Sequence, residues 1–237
     1  ASSVSAISIN GVPSLSTGKT YTLTTNTDTF EGTTGKDVFQ GVYVGNQGAG
    51  TGTTIKSGDS VVGGDGVDTL NISVTGASGA GANKIEGVNS DVEKVFFSNY
   101  DTHGTQTQTH EFNAALADGV TTVGLSSSND NGDTSFVNLK NIVNAEMKNG
   151  SADLTVNHID SATKGDSDAA TLTLSGAIKG ATIVPTFLET APSNVGGLET
   201  LTVTSSGSAN NVNITSGQDS LETVNVNGDQ NLTTTIT

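Results

Sequence analysis

Apolar residues return along this chain in short alternating runs. Residues 69–74 read Thr-Leu-Asn-Ile-Ser-Val, 171–174 Thr-Leu-Thr-Leu, 200–203 Thr-Leu-Thr-Val and 223–226 Thr-Val-Asn-Val. Alternation over four to eight residues marks a strand with one face buried, so these runs predict short strands. Weaker runs at 139–147 and 153–156 are also strand-like, with Gly, Asn or Ser at the bends. An acidic or Asn-bearing turn leads into the runs at 91–96, 197–203 and 220–226, and Glu199 and Glu222 stand 23 positions apart. A period of about 20 to 25 residues is that of a solenoid, in which each coil buries its apolar face only against neighbouring coils. The expected fold is therefore all-β, a parallel β-helix or β-roll solenoid. One short helix is expected at 111–117, where Phe112, Ala115 and Leu116 share a face.

Three regions follow from the spacing. Residues 1–27 read as a lead-in of one or two strands around Gly11-Val12-Pro13, and 28–75 as Gly- and Asp-rich nine-residue units. The units are interrupted at 41–58 by a loop with the core Gly48-Ala49-Gly50-Thr51-Gly52. Residues 76–237 read as further coils with loop insertions. The run 232–237 resembles an unfinished Thr-rich strand, and both ends suggest a fragment of a longer chain.

The sharpest local signal is Gly63-Gly64-Asp65-Gly66-Val67-Asp68-Thr69-Leu70-Asn71, which fits the nonapeptide G-G-x-G-x-D-x-U-x, with U a large apolar residue, at every defined position. Glycines let such a turn fold tightly with carbonyls aimed at one centre, and the Asp adds a hard anionic oxygen before the strand resumes. Asp59-Ser60-Val61 stands nine residues before Asp68-Thr69-Leu70, and Asp28-Thr29-Phe30 stands nine before Asp37-Val38-Phe39. The nine-residue step predicts that Asp59 lies over Asp68 on successive coils, with one ion bridging them. Gly32-Thr33-Thr34-Gly35-Lys36-Asp37 is a version of the same turn with Thr in place of the second Gly.

Composition narrows the field. With 30 Gly, no Cys and 32% apolar residues, the chain is not built round a large helical core and has neither disulfides nor thiolate metal sites. Its nine cations are all Lys against 24 acids, a net charge of -15, which is wrong for a nucleic-acid partner and reads either as solubility alone or as a need for divalent cations. No run approaches the length of a membrane span.

The nonapeptide units resemble the repeats-in-toxin family, and the stretch from Tyr21 to Ile72 is similar to the segment that opens many bacterial S-layer and surface-adhesin domains. The resemblance implies export by a type I system in a Gram-negative bacterium, folding on extracellular Ca2+ and a structural role at the cell surface. It implies self-association into a lattice or coat, with lipopolysaccharide or another surface glycan as anchor. Carried onto this chain, it makes Asp37 and Asp68 side-chain ligands, with Asp28 and Asp59 as further candidates. Gly32, Thr34, Gly35, Gly63, Gly64 and Gly66 become turn or carbonyl positions, and Asp65 contributes its carbonyl. A second reading is a calcium-dependent adhesin or biofilm-matrix segment, and a third is a β-helix polysaccharide-processing enzyme.

The residues favour a non-enzymatic role. The acidic pairs Asp166/Asp168 and Asp130/Asp133 fall in Gly-, Ser- and Asn-rich turns. His103, His110 and His158 are too scattered for a zinc site and are expected at the surface. No G-x-S-x-G elbow or phosphate loop occurs. Phe96 and Phe97 are adjacent in a strand, so one must face outward.

Overall fold

The computed structural model describes residues 17–45, 52–77, 83–102, 109–165, 167–177, 184–185, 197–215 and 221–236. In chain order the first strands are β1 (Thr20–Thr22), β2 (Thr29–Glu31), β3 (Val38–Gly45), β4 (Ser60–Val62), β5 (Thr69–Gly76), β6 (Asn83–Ile85) and β7 (Asn89–Asp91). Then come β8 (Lys94–Asn99), β9 (His110–Asn113), β10 (Thr122–Ser126), β11 (Thr134–Leu139), β12 (Asn144–Gly150) and β13 (Leu154–His158). The last are β14 (Ala169–Ala177), β15 (Val184–Pro185), β16 (Thr200–Ser206), β17 (Asn210–Ile214), β18 (Thr223–Gly228) and β19 (Leu232–Ile236). Among the described residues the only helical turns are 3-10, at Ala114–Leu116 and Asp160–Thr163.

Nine strands form one sheet in the order β1-β3-β5-β8-β10-β12-β14-β16-β18, with smaller sheets β15-β13-β11-β9-β6, β2-β4-β7 and β17-β19. Among the described residues every strand pair is parallel. Parallel neighbours cannot be joined by a hairpin. Here the chain leaves the large sheet, makes at least one strand elsewhere, and returns beside the strand it left. The protein is thus all-β with parallel sheets, as the alternation predicts, and this order is compatible with a parallel β-helix or β-roll.

Register lines up the alternating apolar residues. Tyr21, Phe39, Leu70, Val95, Val123, Ala145, Leu172, Val203 and Val226 each lie opposite the next along the large sheet. Tyr21 and Phe39 begin this row as stacked rings 4.9 Å apart. Each fully buried Leu, Val or Phe contributes about 1.5–3 kcal/mol of transfer free energy, and one core cluster extends from Leu23 to Ile214. On the small sheet Phe112 and Phe136 continue the core, and Phe136 meets Phe97 edge-on at 5.5 Å.

Several expectations are corrected. Residues 41–45 complete β3 and pair with β5 instead of forming part of a loop. Ile55, also inside the expected loop, is buried, and a Cβ on Gly41 would lie 3.0 Å from its Cβ, so Gly41 leaves room for that side chain. Residues 46–51 lie outside the described part. The expected helix at 111–117 is instead the end of β9 followed by one 3-10 turn, because Phe112 points into the core and the Asn113 side chain accepts the Ala115 N–H at 3.0 Å. His110, at the start of β9, and His158, at the end of β13, are buried, not at the surface. Phe97 is buried and Phe96 half-buried, as adjacency in a strand requires, with the Lys148 ammonium 5.8 Å above the Phe96 ring.

Candidate metal centre

The stretch from Asp28 to Leu70 forms two passages of the chain laid side by side. Thr29 pairs with Ser60 on one side and Val38 with Thr69 on the other, so the turns between those strands stack in register. Gly32–Asp37 therefore lies on Gly63–Asp68. The stacking distance in sequence is 31 residues, and Asp37 meets Asp68 while Asp28 meets Asp59. This corrects the expectation that Asp59 lies over Asp68. Nine residues separate two corners of one passage, since three strand residues and a six-residue turn fill that interval.

The glycines are there because the two backbones nearly touch. A Cβ on Gly32 would lie 1.8 Å from the Gly63 carbonyl oxygen, and one on Gly66 would lie 2.6 Å from the Gly35 oxygen. Gly64 and Gly66 also take φ of 92° and 135°, a region that side chains disfavour. The carbonyls of Thr33, Gly35 and Gly63 thus border the seam between the turns. Asp65 is exposed at the tip, and Thr34 is exposed as well.

The aspartates divide into two kinds. Asp37 is fully buried, and both its oxygens are occupied. Oδ1 accepts the Lys19 N–H at 2.5 Å, and Oδ2 accepts the Thr33 N–H at 2.6 Å and the Thr33 hydroxyl at 2.9 Å. Burial pushes its carboxyl up, but the Thr33 and Lys19 N–H groups, the Thr33 hydroxyl and the Lys19 charge outweigh it, and the net shift is downward. Asp28 and Asp59 are likewise satisfied: Asp28 accepts from Thr24 N–H and hydroxyl, and Asp59 accepts the Asp28 N–H at 3.0 Å and the Lys56 N–H at 2.8 Å.

Asp68 differs. Its Oδ1 accepts the Asp37 N–H at 2.7 Å, but Oδ2 is buried with no hydrogen-bond partner and would sit 2.3 Å from a Cβ on Gly63. Burial pushes the Asp68 carboxyl up; the Asp37 N–H opposes this, while the charges of Glu93, Asp37 and Asp91 add to it, and the net shift is upward. An anionic oxygen held dry beside three more acids, with carbonyls on the adjoining seam, fits a hard cation. Among the described residues no group of three or more His, Cys, Asp or Glu side chains is placed to hold a metal ion. An ion at Asp68 would therefore draw most of its oxygens from the backbone, as Ca2+ often does.

Glu93 extends the pattern and was missed by motif reading. It precedes β8 as Asp68 precedes β5, and its Oε2 accepts the Asp68 N–H at 2.7 Å. Farther along, Glu199 Oε2 accepts the Asp168 N–H at 2.6 Å. The legible signal is an acid one position before a strand of the large sheet, as in Asp37-Val38, Asp68-Thr69, Glu93-Lys94, Glu199-Thr200 and Glu222-Thr223. Each of the first four carboxylates caps a backbone N–H of the preceding passage.

Of the acidic pairs weighed for catalysis, Asp130 is exposed and Asp133 half-buried, and Asp133 Oδ1 accepts the Asp153 N–H at 3.0 Å. Burial, with Asp153 and Asp130 adding charge, raises the Asp133 carboxyl to about 6. Asp166 and His103 lie outside the described residues. Comparison with protein-family models, curated proteins and solved structures returns no match to this chain.

Proposed function

We propose that this chain is a calcium-stabilised, non-enzymatic structural unit of a bacterial surface layer, with its parallel sheets wrapped round one interior as a solenoid. The observation that carries the reading is the buried, unpartnered Asp68 Oδ2 between in-register Gly-rich turns. Asp68 would hold the ion with carbonyls of the 32–37 and 63–68 turns, and Ca2+ would supply a positive charge that relieves the repulsion among Asp68, Glu93, Asp37 and Asp91. Asp37, Asp28 and Asp59 serve the backbone of the turns instead.

The reading accounts for the chemistry of the whole chain. A net charge of -15 with no Cys suits a medium in which divalent cations are plentiful and thiols are not needed. At a Kd of about 0.1 mM, millimolar Ca2+ stabilises the site by roughly 1.4 kcal/mol, while low cytosolic calcium leaves it empty. That difference gives an exported chain a physical reason to fold only outside the cell. The partners are further copies of itself, anchored to a surface glycan such as lipopolysaccharide.

The test is a calcium titration of the chelator-treated chain, followed by circular dichroism and particle size together. Gain of β signal with growing particles, lost in Asp68→Asn, supports the surface-layer reading. Gain of signal in a chain that stays monomeric moves it to a calcium-dependent adhesin. No response in either measurement removes the metal and the assignment with it.

A further inference from the structure

The outer face of the nine-stranded sheet is one that the acids avoid. Of the 24 acidic residues only Glu146 lies within the strands of that sheet, and the cations there are Lys94 and Lys148. A chain of net charge -15 thus keeps one broad face on which two Lys stand against a single acid. At the corners the acids serve backbone N–H groups, as Asp37, Asp68 and Glu93 do. The middle of the face is left mostly to Thr, Ser and Asn.

Phe96 stands in that field. Val95 and Phe97 are buried, so Lys94, Phe96 and Ser98 point outward by the alternation of a strand. Register carries one outward row across neighbouring strands through Asn71, Phe96, Gly124, Glu146 and Thr173. A Cβ on Gly124 would lie 2.8 Å from Phe96 Cε1 and 2.2 Å from the Glu146 carbonyl oxygen. The missing side chain lets the ring extend over β10. Tyr100, 45% exposed, presents a second ring farther along the same alternating run.

Three charges fence the Phe96 ring. Lys148 Nζ lies 5.8 Å from its centroid and 3.1 Å from Glu146 Oε2, and Lys94 Nζ lies 3.2 Å from Glu146 Oε1. Burial pushes the Glu146 carboxyl up, but the Lys148 and Lys94 hydrogen bonds and charges outweigh it, and the net shift is downward. Glu146 is thus ionised and holds both ammoniums beside the ring. An ammonium has three N–H donors, so one bond to Glu146 leaves others for a ligand, and the Lys148 side chain is 47% exposed.

Chemistry selects the occupant. A protein partner wants a broad apolar centre, whereas here a lone ring is set among hydroxyls and amides. A sugar offers one face of C–H groups to Phe96 and hydroxyls to Asn71 and Thr173 on either side. Adjacent strands stand about 4.8 Å apart, close to the length of one sugar unit, so a glycan laid across the strands meets one strand per unit. Two Lys to one acid favour a chain with negative groups of its own, and Glu146 shows that these two ammoniums accept a carboxylate, one oxygen each.

We propose that the outer face of the nine-stranded sheet, centred on Phe96, Glu146 and Lys148, binds an acidic glycan that bears carboxylate groups. Phe96 stacks on a sugar ring, and Lys94 and Lys148 pair with the carboxylates of the chain. The inference rests on the reading that a surface glycan anchors this protein and gives that partner a place; it is independent of the calcium site at Asp68.

The experiment is affinity electrophoresis of the whole chain in native gels containing hyaluronate, phosphomannan or neutral dextran, each run in chelator and in Ca2+. Retardation by hyaluronate and not by dextran is expected, with apparent affinity lowered about tenfold by Phe96→Ala and about tenfold by Lys148→Gln. Lys84→Gln removes an equal charge from the five-stranded sheet and should leave retardation unchanged. The proposal is overturned by no retardation in hyaluronate, by equal retardation in dextran, by retardation in phosphomannan alone, or by variants that bind as the parent does. Should Phe96→Ala fail to fold, Lys148→Gln against Lys84→Gln decides. A chain that binds hyaluronate yet ignores Ca2+ keeps this site and loses the calcium-stabilised reading; one that responds to Ca2+ and binds no glycan loses this site alone.

Discussion

At Asp37, two backbone N–H groups and a hydroxyl occupy both carboxylate oxygens; at Asp68, one N–H occupies Oδ1 and nothing occupies Oδ2. Substituting them should have different consequences. Asp37→Asn gives up charge-assisted bonds to buried donors and should cost about 1–3 kcal/mol with or without Ca2+. Asp68→Asn removes a repelling charge, so without Ca2+ it should cost less than Asp37→Asn or even stabilise, while the gain on adding Ca2+ disappears. Urea midpoints of the three chains in chelator and in calcium check this, and equal losses for both variants would contradict the division of roles. Asp133 offers a second contrast. Its folded carboxyl is raised to about 6, so the associated stability is present below about 3.8 and is lost as pH rises toward 6. Asp133→Asn keeps an oxygen for the Asp153 N–H and should raise neutral-pH stability by about 1 kcal/mol, after allowance for solvent screening, with little change near pH 4. A thermal melt at both pH values reads the difference.

Between residues and the whole lie the strands and their corners. Asn210 begins β17, is buried, and donates to Ser205 Oγ, Ser206 O and Ser208 O while its Oδ1 accepts the Ala177 N–H at 2.8 Å. It joins one corner to the end of β14, and Asn210→Ala should destabilise by about 1–3 kcal/mol, seen in a urea titration, because the buried Ala177 N–H and Ser205 hydroxyl lose their partner. Sequence alternation located strands such as β5, β16 and β18 because one face of each carries Leu, Ile or Val against Thr, Ser or Asn on the other. The 23-residue step also held, since Thr200 pairs with Thr223. Alternation could not reveal which strand lies beside which in the Gly-rich region: the nine-residue repeat is local, whereas the stacking step there is 31 and follows from the length of chain between β3 and β4. Buried His110, His158 and Asn99 were illegible for a related reason. Polar types entered the interior because backbone groups at the corners needed partners, and those corners exist only once the sheets are placed.

Across the whole molecule the acids are unevenly engaged, and this gives calcium removal a direction. The row of Asp37, Asp68 and Glu93 links β1, β3, β5 and β8 through one carboxylate per passage, with the orphaned Asp68 oxygen at its centre. Toward the other end, Glu199 caps Asp168, which is half-exposed and can shed its repulsion into water. Chelation should therefore loosen the 20–76 end first, by about tenfold in local opening for a site worth roughly 1.4 kcal/mol, while β14, β16 and β18 keep their protection. Monovalent salt separates this effect from general charge screening. At about 1 M the screening length falls to about 3 Å, which quiets exposed charges but scarcely reaches a dry oxygen. Sodium chloride should thus fail to replace Ca2+ at the 20–76 end even where it steadies the rest. Amide exchange in chelator, in chelator with salt and in calcium reads all three states. Uniform loosening along the chain, or full rescue by salt, would mean that net charge and not a built site governs the response.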